Sequence, residues 1–394
     1  MALIRHTLDR PLFLSLFVGM VVLLALEPGY VERYPIVSLI SILMFVTLTV
    51  SWTLFSGPTH YISLATAAFF GVGVYITAVI GKDYSIAVVA AISAAACFVL
   101  AILIGLLTLR LRGVYFILFT FGVSELIRHS LVWWETHQSN TVGRVVSRPP
   151  YDTVYYHVLG IAVATIVISY LVSQTKFGLA LKSTGENEEA ASHIGINVTL
   201  YKILGFAVSA IFMGAMGAVI ANRLGYVDPS IAFNPVYAFL PVVMAIFGGT
   251  SRLHGPIMGA IVFTYLREEL ITSYPDYFML TIGLTLIIVI MFLPNGLLGL
   301  FDKAMLRLNK NPQTRKLLGR LQASDMARLS GPIVGTALFI ALRERGTSEL
   351  LVKYPTYFLV LAGIMIAATY VLNSVFWLVD ARRLRKLIAR LQGV

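Results

Sequence analysis

Long apolar segments separated by short polar connections make up most of this 394-residue chain. A helix of roughly 20 apolar residues crosses the hydrocarbon core of a membrane, which is about 30 Å thick. The pattern predicts twelve such helices, near residues 11–26, 35–55, 61–80, 84–109, 114–134, 154–173, 203–221, 235–249, 255–271, 278–298, 330–350 and 356–379. The segments at 235–249 and 255–271 are short, and fit either full spans or a broken, re-entrant pair. The sequence therefore predicts an all-α, polytopic transmembrane helical bundle.

The first apolar segment fits two interpretations. Arg5 and Arg10 precede an apolar stretch of about 15 residues, a pattern that signal peptides share with retained spans. Residues 24–28, where the segment ends, contain no small-x-small cleavage site. This favours a retained span.

The amino-acid composition agrees with a membrane environment. Hydrophobic residues form 58% of the chain and charged residues 12%, with a mean hydropathy of +0.83. Soluble domains carry about 25% charged residues. The net charge is +11, but no basic stripe is interleaved with stacking aromatic residues, so nucleic-acid binding is not expected. The single cysteine, Cys97, lies in an apolar run and cannot form an intrachain disulfide.

The distribution of lysine and arginine predicts the orientation. Cytoplasmic loops of membrane proteins retain these residues. An N-terminus in the cytoplasm places 20 of the 30 basic residues in inside segments. We therefore predict an even number of spans with both termini in the cytoplasm.

A basic stretch and an internal repeat divide the C-terminal part of the chain. About ten predicted spans precede residue 300, a basic loop occupies 301–329, and two further spans with a basic tail occupy 330–394. Residues 255–268 recur at 331–344, and residues 274–278 recur at 354–358, which indicates a duplicated helical hairpin. The first copy opens with Gly255 and Gly259, a Gly-x-x-x-Gly pattern that predicts close helix packing.

Several kinds of enzyme chemistry have no support in the sequence. Gly81-Lys82 is followed by Asp83 rather than Ser or Thr, so no phosphate-binding loop is present. The seven histidines show no metal-ligand spacing, and no Gly-x-Ser-x-Gly element occurs. We expect no enzymatic activity, no cofactor and no metal site.

A long polar stretch at 176–197 predicts a short helix outside the membrane. Ser183 and Glu186 have the spacing of a capping box, in which each side chain binds a free N–H at the helix start. Glu186, Glu188 and Glu189 would then lie in the first turns, where the helix dipole favours anions, and Gly195 can end the helix. On spacing alone this helix is either a solvated connector or a docking element.

Motifs in this stretch and elsewhere resemble those of one family of transport proteins. Glu189-Ala190-Ala191-x-x-x-Gly195 resembles the Glu-Ala-Ala-x-x-x-Gly loop of ABC importer permeases. Glu186-Asn187-Glu188, leading into Gly195-Ile196-Asn197, resembles the branched-chain amino acid subgroup. Residues 69–75, 109–116, 247–250 and 255–260 extend the similarity, which covers about 35–300.

The resemblance implies a function and a set of partners. Residues 1–300 would form the transmembrane domain of a permease subunit in the bacterial inner membrane, importing branched-chain amino acids or a related small polar solute. A periplasmic binding protein, a second permease subunit and ATP-binding subunits would complete the importer. The polar helix would be the coupling helix that seats in a groove of an ATP-binding subunit. Its predicted residues are Ser183, Glu186, Asn187, Glu188, Glu189, Ala190, Ala191 and Gly195.

The sequence departs from the family pattern at three places. Residues 56–68 replace a usual Gly-Gln-x-Ser-x-Gly-His element, and residues 138–141 retain part of a glycine, serine and asparagine motif. Gly185 stands where a basic residue often precedes Glu186. The first two changes bear on the substrate, and the third bears on docking.

Candidate residues of a translocation path lie in the third and fifth predicted spans. They are Phe70, Gly71, Gly73, Tyr75, Glu125 and Arg128. Glu125 and Arg128 alternatively form an interfacial ion pair near Trp133 and Trp134, because a spacing of three residues places them on one helix face.

Two other classes of protein remain open on composition alone. A stand-alone secondary transporter or channel would suit a bundle of this size, but the sequence shows no inverted repeat. A membrane scaffold would leave the glutamate-rich polar helix without a role.

Overall fold

The computed structural model describes residues 33–109, 111, 113–138, 142–250, 252–273 and 296. The predicted spans at 11–26, 330–350 and 356–379, the basic loop and all but Gly296 of the span at 278–298 lie outside these residues. The duplicated hairpin therefore stays a prediction.

Within the described residues the chain forms eleven helices and a two-stranded ribbon. The helices are α1 (Arg33–Thr59), α2 (Thr66–Ile80), α3 (Ile86–Thr108), α4 (Val114–Gln138), α5 (Tyr151–Gln174), α6 (Lys176–Glu186), α7 (Glu188–His193), α8 (Val198–Leu224), α9 (Pro229–Ala232), α10 (Val236–Gly248) and α11 (His254–Ser273). The strands β1 (Arg144–Val145) and β2 (Tyr226–Val227) pair antiparallel, with Arg144 opposite Val227. The all-α membrane fold is confirmed.

The number of spans is not confirmed. In the described part of the chain, six helical stretches are long and apolar enough to cross a membrane: Ile36–Thr59, Ile86–Thr108, Val114–His137, Tyr151–Gln174, Val198–Leu224 and Pro229–Gly248. The helix α2, predicted from residue 61, begins at Thr66 and has 15 residues. Residues 61–65 form a loop because Trp52 Nε1 donates to the Ser63 carbonyl at 2.8 Å and the Leu64 N–H donates to Thr120 Oγ1 at 3.0 Å.

Burial separates an enclosed centre from an apolar periphery. The most apolar windows of α1 and α8 are 94% and 83% buried, whereas those of α3, α4 and α5 are 28%, 17% and 28% buried. The peripheral helices expose apolar side chains, among them Leu107, Tyr115 and Leu126. An apolar surface of this extent fits a hydrocarbon solvent rather than water.

Small residues let α2 and α3 approach α8 closely. A Cβ built on Gly73 would lie 2.0 Å from the Gly214 carbonyl oxygen, and one on Gly214 would lie 2.4 Å from Cys97 Sγ. Any larger side chain at Gly73 or Gly214 would force the backbones apart. Such contacts are typical of helix association in lipid, where dispersion rather than hydrophobic burial holds helices together.

The helix α8 defines two ends of the bundle. Its 27 residues extend about 40 Å at 1.5 Å per residue. We call the end where α8 begins the α7 end, and the end where it meets β2 the ribbon end. The helix α1 runs antiparallel to α8, because His60 contacts Gly185 at the α7 end and Arg223 donates to Ser41 Oγ at the ribbon end.

Candidate functional site

The polar stretch at the α7 end folds as two short helices rather than one. The N-cap of α6 is Thr175, whose hydroxyl accepts from the Gly178 N–H at 3.3 Å. The N-cap of α7 is Asn187, whose Oδ1 accepts from the Ala190 N–H at 3.0 Å. Each cap binds one of the N–H groups that a helix start leaves without an intrahelical partner.

The predicted capping box at Ser183 and Glu186 is wrong. Ser183 lies inside α6, and its Oγ donates back to the Leu179 carbonyl at 2.9 Å. Glu186 is the last residue of α6 rather than a residue of a first turn. A serine hydroxyl can bond either to a helix start or to the carbonyl four residues earlier, so the spacing did not decide between them.

Gly195 ends α7 in a Schellman motif. Its φ is +87°, in the left-handed region where glycine carries no steric penalty. The Gly195 N–H donates to the Ser192 carbonyl at 3.0 Å, and the Ile196 N–H donates to the Ala191 carbonyl at 3.1 Å. These two bonds satisfy carbonyls that the helix end would otherwise leave free.

The two sides of α7 have different surroundings. Ala191 is buried against the bundle, whereas Glu189 and Ala190 are exposed. Ile194, just after the helix, is 75% exposed, and Leu179 on α6 is 66% exposed. Apolar side chains this exposed beside a capped helix provide a surface on which a partner protein could pack.

Glu188 turns toward the bundle and joins a buried polar cluster. Lys202 on α8 forms an ion pair with Glu188 Oε1, and its ammonium also donates to Tyr61 OH at 2.9 Å. Tyr61 OH donates to Glu188 Oε1 at 2.7 Å. The Lys202 side chain is 3% exposed and the Glu188 side chain 23%. We call these three residues the Glu188–Lys202–Tyr61 cluster.

The end of α6 contacts the end of α1 beside this cluster. His60, whose φ is +59°, places Nδ1 3.2 Å from the Gly185 carbonyl oxygen. A Cβ built on Gly185 would lie 2.0 Å from the Pro58 carbonyl oxygen. Two of the segments that depart from the family pattern, residues 56–68 and Gly185, are therefore in contact with each other. A basic side chain at 185 has no room in this arrangement.

The path candidates on α2 lie in a packed core. Phe70 is fully buried against Tyr237, with ring centroids 4.4 Å apart. A Cβ on Gly71 would strike the Phe233 ring, and Tyr75 also faces that ring, with centroids 6.4 Å apart. The described contacts of Phe70, Gly71 and Gly73 are packing contacts, whereas the Tyr75 hydroxyl also interacts with the Glu135 carboxylate. The role of these four residues in a path stays a prediction.

The predicted pair on α4 forms. Arg128 Nε donates to Glu125 Oε2 at 2.9 Å, and both side chains are about a quarter exposed.

Gly255 and Gly259 on α11 face α10. A Cβ on Gly248 would lie 1.8 Å from the Gly255 carbonyl oxygen, and one on Gly259 would lie 2.0 Å from the Met244 carbonyl oxygen.

The sequence interpretation assigns no specific role to Lys202 or Glu135, the buried members of two ion pairs. Lys202 enters it only as one of the basic residues of the inside segments. At the ribbon end the Glu135 side chain is 2% exposed, accepts from the Gly143 N–H at 2.8 Å and pairs with Arg144 Nε at 3.0 Å. Their only sequence signal is a charged residue within or beside an apolar helix, which insertion energetics make costly.

Apolar helices of membrane length, with a capped helix pair at one end, are the architecture of a polytopic helical membrane protein. The sequence model of one family, described as "Branched-chain amino acid transport system / permease component", matches residues 34–290. The chain belongs to this family.

Individual relatives agree with the family match. The high-affinity branched-chain amino acid transport system permease protein LivM of Salmonella typhimurium is 25% identical over 74% of this chain and 76% of its own length. LivM of Escherichia coli is 25% identical over the same shares. The ribose import permease protein RbsC of Haemophilus influenzae is 28% identical over 36% of this chain and 48% of its own. No solved structure matches the chain. The chain is thus a permease subunit of an ABC importer.

Proposed function

We propose that this permease moves branched-chain amino acids, or a related small polar solute, into the cell. The family description and the two LivM relatives support this substrate class, and their matches cover most of the chain. The ribose permease matches about a third of the chain and supports sugars less strongly.

We further propose that α6 and α7 form the coupling helix that docks on an ATP-binding subunit. The observation that carries this proposal is the two-sided environment of α7. Ala191 and Glu188 fasten the helix to the bundle, while Glu189 and Ile194 face away from it. A helix that transmits force needs both a partner surface and a firm attachment to the transmembrane domain.

The proposed complex contains ATP-binding subunits, a second permease subunit and a periplasmic binding protein in the bacterial inner membrane. In this arrangement the α7 end faces the cytoplasm, which agrees with Lys176, Lys182 and Arg252 near that end. Both chain termini would then be cytoplasmic. Hydrolysis of ATP belongs to the partner subunits, since this sequence has no phosphate-binding loop.

The mechanism that we propose is a two-state rearrangement. ATP binding closes the ATP-binding subunits, and their closure displaces the coupling helix together with the helices attached to it. The solute site then changes the side from which it is accessible, driven by the different affinities of the two states for ATP. Family membership makes a stand-alone transporter the weaker alternative.

The test is ATP-driven uptake in proteoliposomes that contain the permease, the ATP-binding subunits and the binding protein. We expect uptake of labelled leucine and no uptake of labelled ribose. Uptake of ribose alone would overturn the substrate proposal and leave the importer class intact.

Docking is tested by charge reversal in two matched positions. Glu189→Lys and Asp152→Lys each reverse an exposed acid in the first turn of a helix, at the α7 end and the ribbon end respectively. We expect Glu189→Lys to weaken copurification of the ATP-binding subunit and to lower uptake by about tenfold, a typical coupling effect. Asp152→Lys should leave copurification unchanged. Equal behaviour of the two variants would contradict docking through α7.

A further inference from the structure

The Glu188–Lys202–Tyr61 cluster joins three separate segments of the chain. Glu188 belongs to α7, Lys202 to the first turns of α8, and Tyr61 to the loop between α1 and α2. The Lys202 ammonium bonds to both other side chains and also lies 4.2 Å from the centroid of the Tyr61 ring. One buried cation therefore holds a carboxylate, a hydroxyl and an aromatic face at the same point.

The cluster resists separation because Lys202 is almost fully enclosed. Removing one partner from a buried pair leaves an uncompensated charge, which is strongly unfavourable. The aromatic ring adds a cation–π contact that strengthens when water is excluded. A displacement of α7 that separated Glu188 from Lys202 would leave an unpaired charge and is therefore unfavourable. We therefore expect Tyr61 and Lys202 to move together with α7.

The attachments of the cluster extend into the membrane helices. The Tyr61 ring packs edge-on against Phe116 of α4, with centroids 5.3 Å apart. Phe206 of α8 lies one turn after Lys202. Its ring contacts both Phe116 of α4 and Phe55 of α1. A push on α7 therefore reaches α1, α4 and α8 through contiguous side chains, which is the physical requirement for coupling between distant sites.

We propose that Lys202 is the positioning residue through which α7 moves the membrane helices, with Glu188 as its anchor on the helix and Tyr61 as its anchor on the α1–α2 loop. This inference rests on the proposed coupling function of α7. It assigns the neighbouring glutamates different tasks: Glu189 contacts the partner, whereas Glu188 fastens the helix to its own chain.

The test compares transport with ATP hydrolysis in the reconstituted complex. In Lys202→Met we expect copurification of the ATP-binding subunit and ATP hydrolysis to stay within about twofold of wild type. The solute transported per ATP should fall about tenfold or more, in the usual range of a coupling effect. Lys202→Arg keeps the charge and should keep most of the ratio. The exchange Glu188→Lys with Lys202→Glu restores opposite charges and should recover part of it.

A merely structural role would lower transport and hydrolysis together and leave their ratio unchanged, which would overturn the proposal. An unchanged ratio in Lys202→Met would overturn it equally. If Lys202→Met fails to insert, Tyr61→Phe removes one hydroxyl and keeps the ring, and its ratio should fall by about a factor of two to five. An unchanged ratio in a well-inserted Tyr61→Phe protein would then reject the inference.

Failure of the underlying function gives a different result. If Glu189→Lys leaves copurification of the ATP-binding subunit intact, the docking role of α7 fails. If these controls behave as expected and Lys202→Met keeps a normal ratio of solute transported per ATP, the docking role stands and the positioning role is rejected.

Discussion

Each end of α8 lies beside an ion pair with one buried member, Glu135 at the ribbon end and Lys202 at the α7 end, but the two pairs connect different segments of the chain. At the ribbon end Glu135 binds Gly143 and Arg144, eight and nine residues further along the chain. At the α7 end Lys202 binds Glu188 and Tyr61, the latter 141 residues away in sequence. The first ion pair closes a local loop beside Tyr75 of α2. The second, through Tyr61, joins the exposed helix α7 to the loop between α1 and α2.

This difference separates a stabilising contact from a transmitting one. Loss of a contact between residues close in sequence lowers stability but changes little in how distant helices move. Loss of a contact between separate segments changes their relative motion, even if the fold survives. The comparison therefore predicts opposite kinds of damage at the two ends.

The largest effect is expected for Gly185→Ala at the α7 end. The added methyl group would lie 2.0 Å from the Pro58 carbonyl oxygen. Because this oxygen belongs to the backbone, the clash can be relieved only if α6 moves away from α1. Overpacking of this kind costs about 1 to 3 kcal/mol. We expect transport in proteoliposomes to fall more than ATP hydrolysis. The matched control is Gly122→Ala on α4, where nothing lies within 4 Å, and it should be neutral. Equal effects of the two substitutions would show that the contact between α6 and α1 has no specific role in coupling.

A smaller effect, of the opposite kind, is expected for Glu135→Gln at the ribbon end. The variant loses one charge of a pair in which Glu135 is buried but Arg144 is 37% exposed, so the guanidinium can recover hydration. We expect a loss of about 1 to 2 kcal/mol, less than for a fully buried pair. Thermal unfolding in detergent should show the loss, while the solute transported per ATP stays constant. A fall in that ratio would mean that the ribbon end also transmits motion.

The smallest effect is expected for truncation after Arg307. The family match ends at residue 290, and the basic loop and the predicted duplicated hairpin follow it. We expect the shortened permease to insert, to bind its partner subunits and to keep most of its uptake. Normal insertion and partner binding without any uptake would place the hairpin within the transport mechanism.

Sequence patterns predicted the helices well and their connections less well. Each predicted span between residues 35 and 271 corresponds to a helix, because a run of apolar residues of membrane length has few alternatives to a helix. The start of α2 was placed five residues early, since the apolar character of 61–65 does not reveal that Trp52 and Thr120 bind this segment as a loop.

The candidate site shows the same limit. Gly195 was expected to end a helix from its residue type alone, and its left-handed backbone agrees. The capping box was misplaced because Ser183 had two equivalent local bonding partners. Glu188 was grouped with Glu189 because their contrast depends on Lys202 and Tyr61, whose positions beside α7 follow only from the packing of α1 and α8.

The proposed coupling requires that the α7 end, and not the ribbon end, meets the ATP-binding subunit. Cys97 is the only cysteine and is buried, so a Cys97→Ser background allows one reactive thiol at a time. A photoreactive maleimide can then be attached at Glu189→Cys near α7, or at Val145→Cys in the ribbon, where the native side chain is 67% exposed. After illumination of the assembled complex, we predict a covalent adduct with the ATP-binding subunit from position 189 and none from position 145. An adduct from 145, or none from 189 in an assembled complex that hydrolyses ATP, would contradict the account.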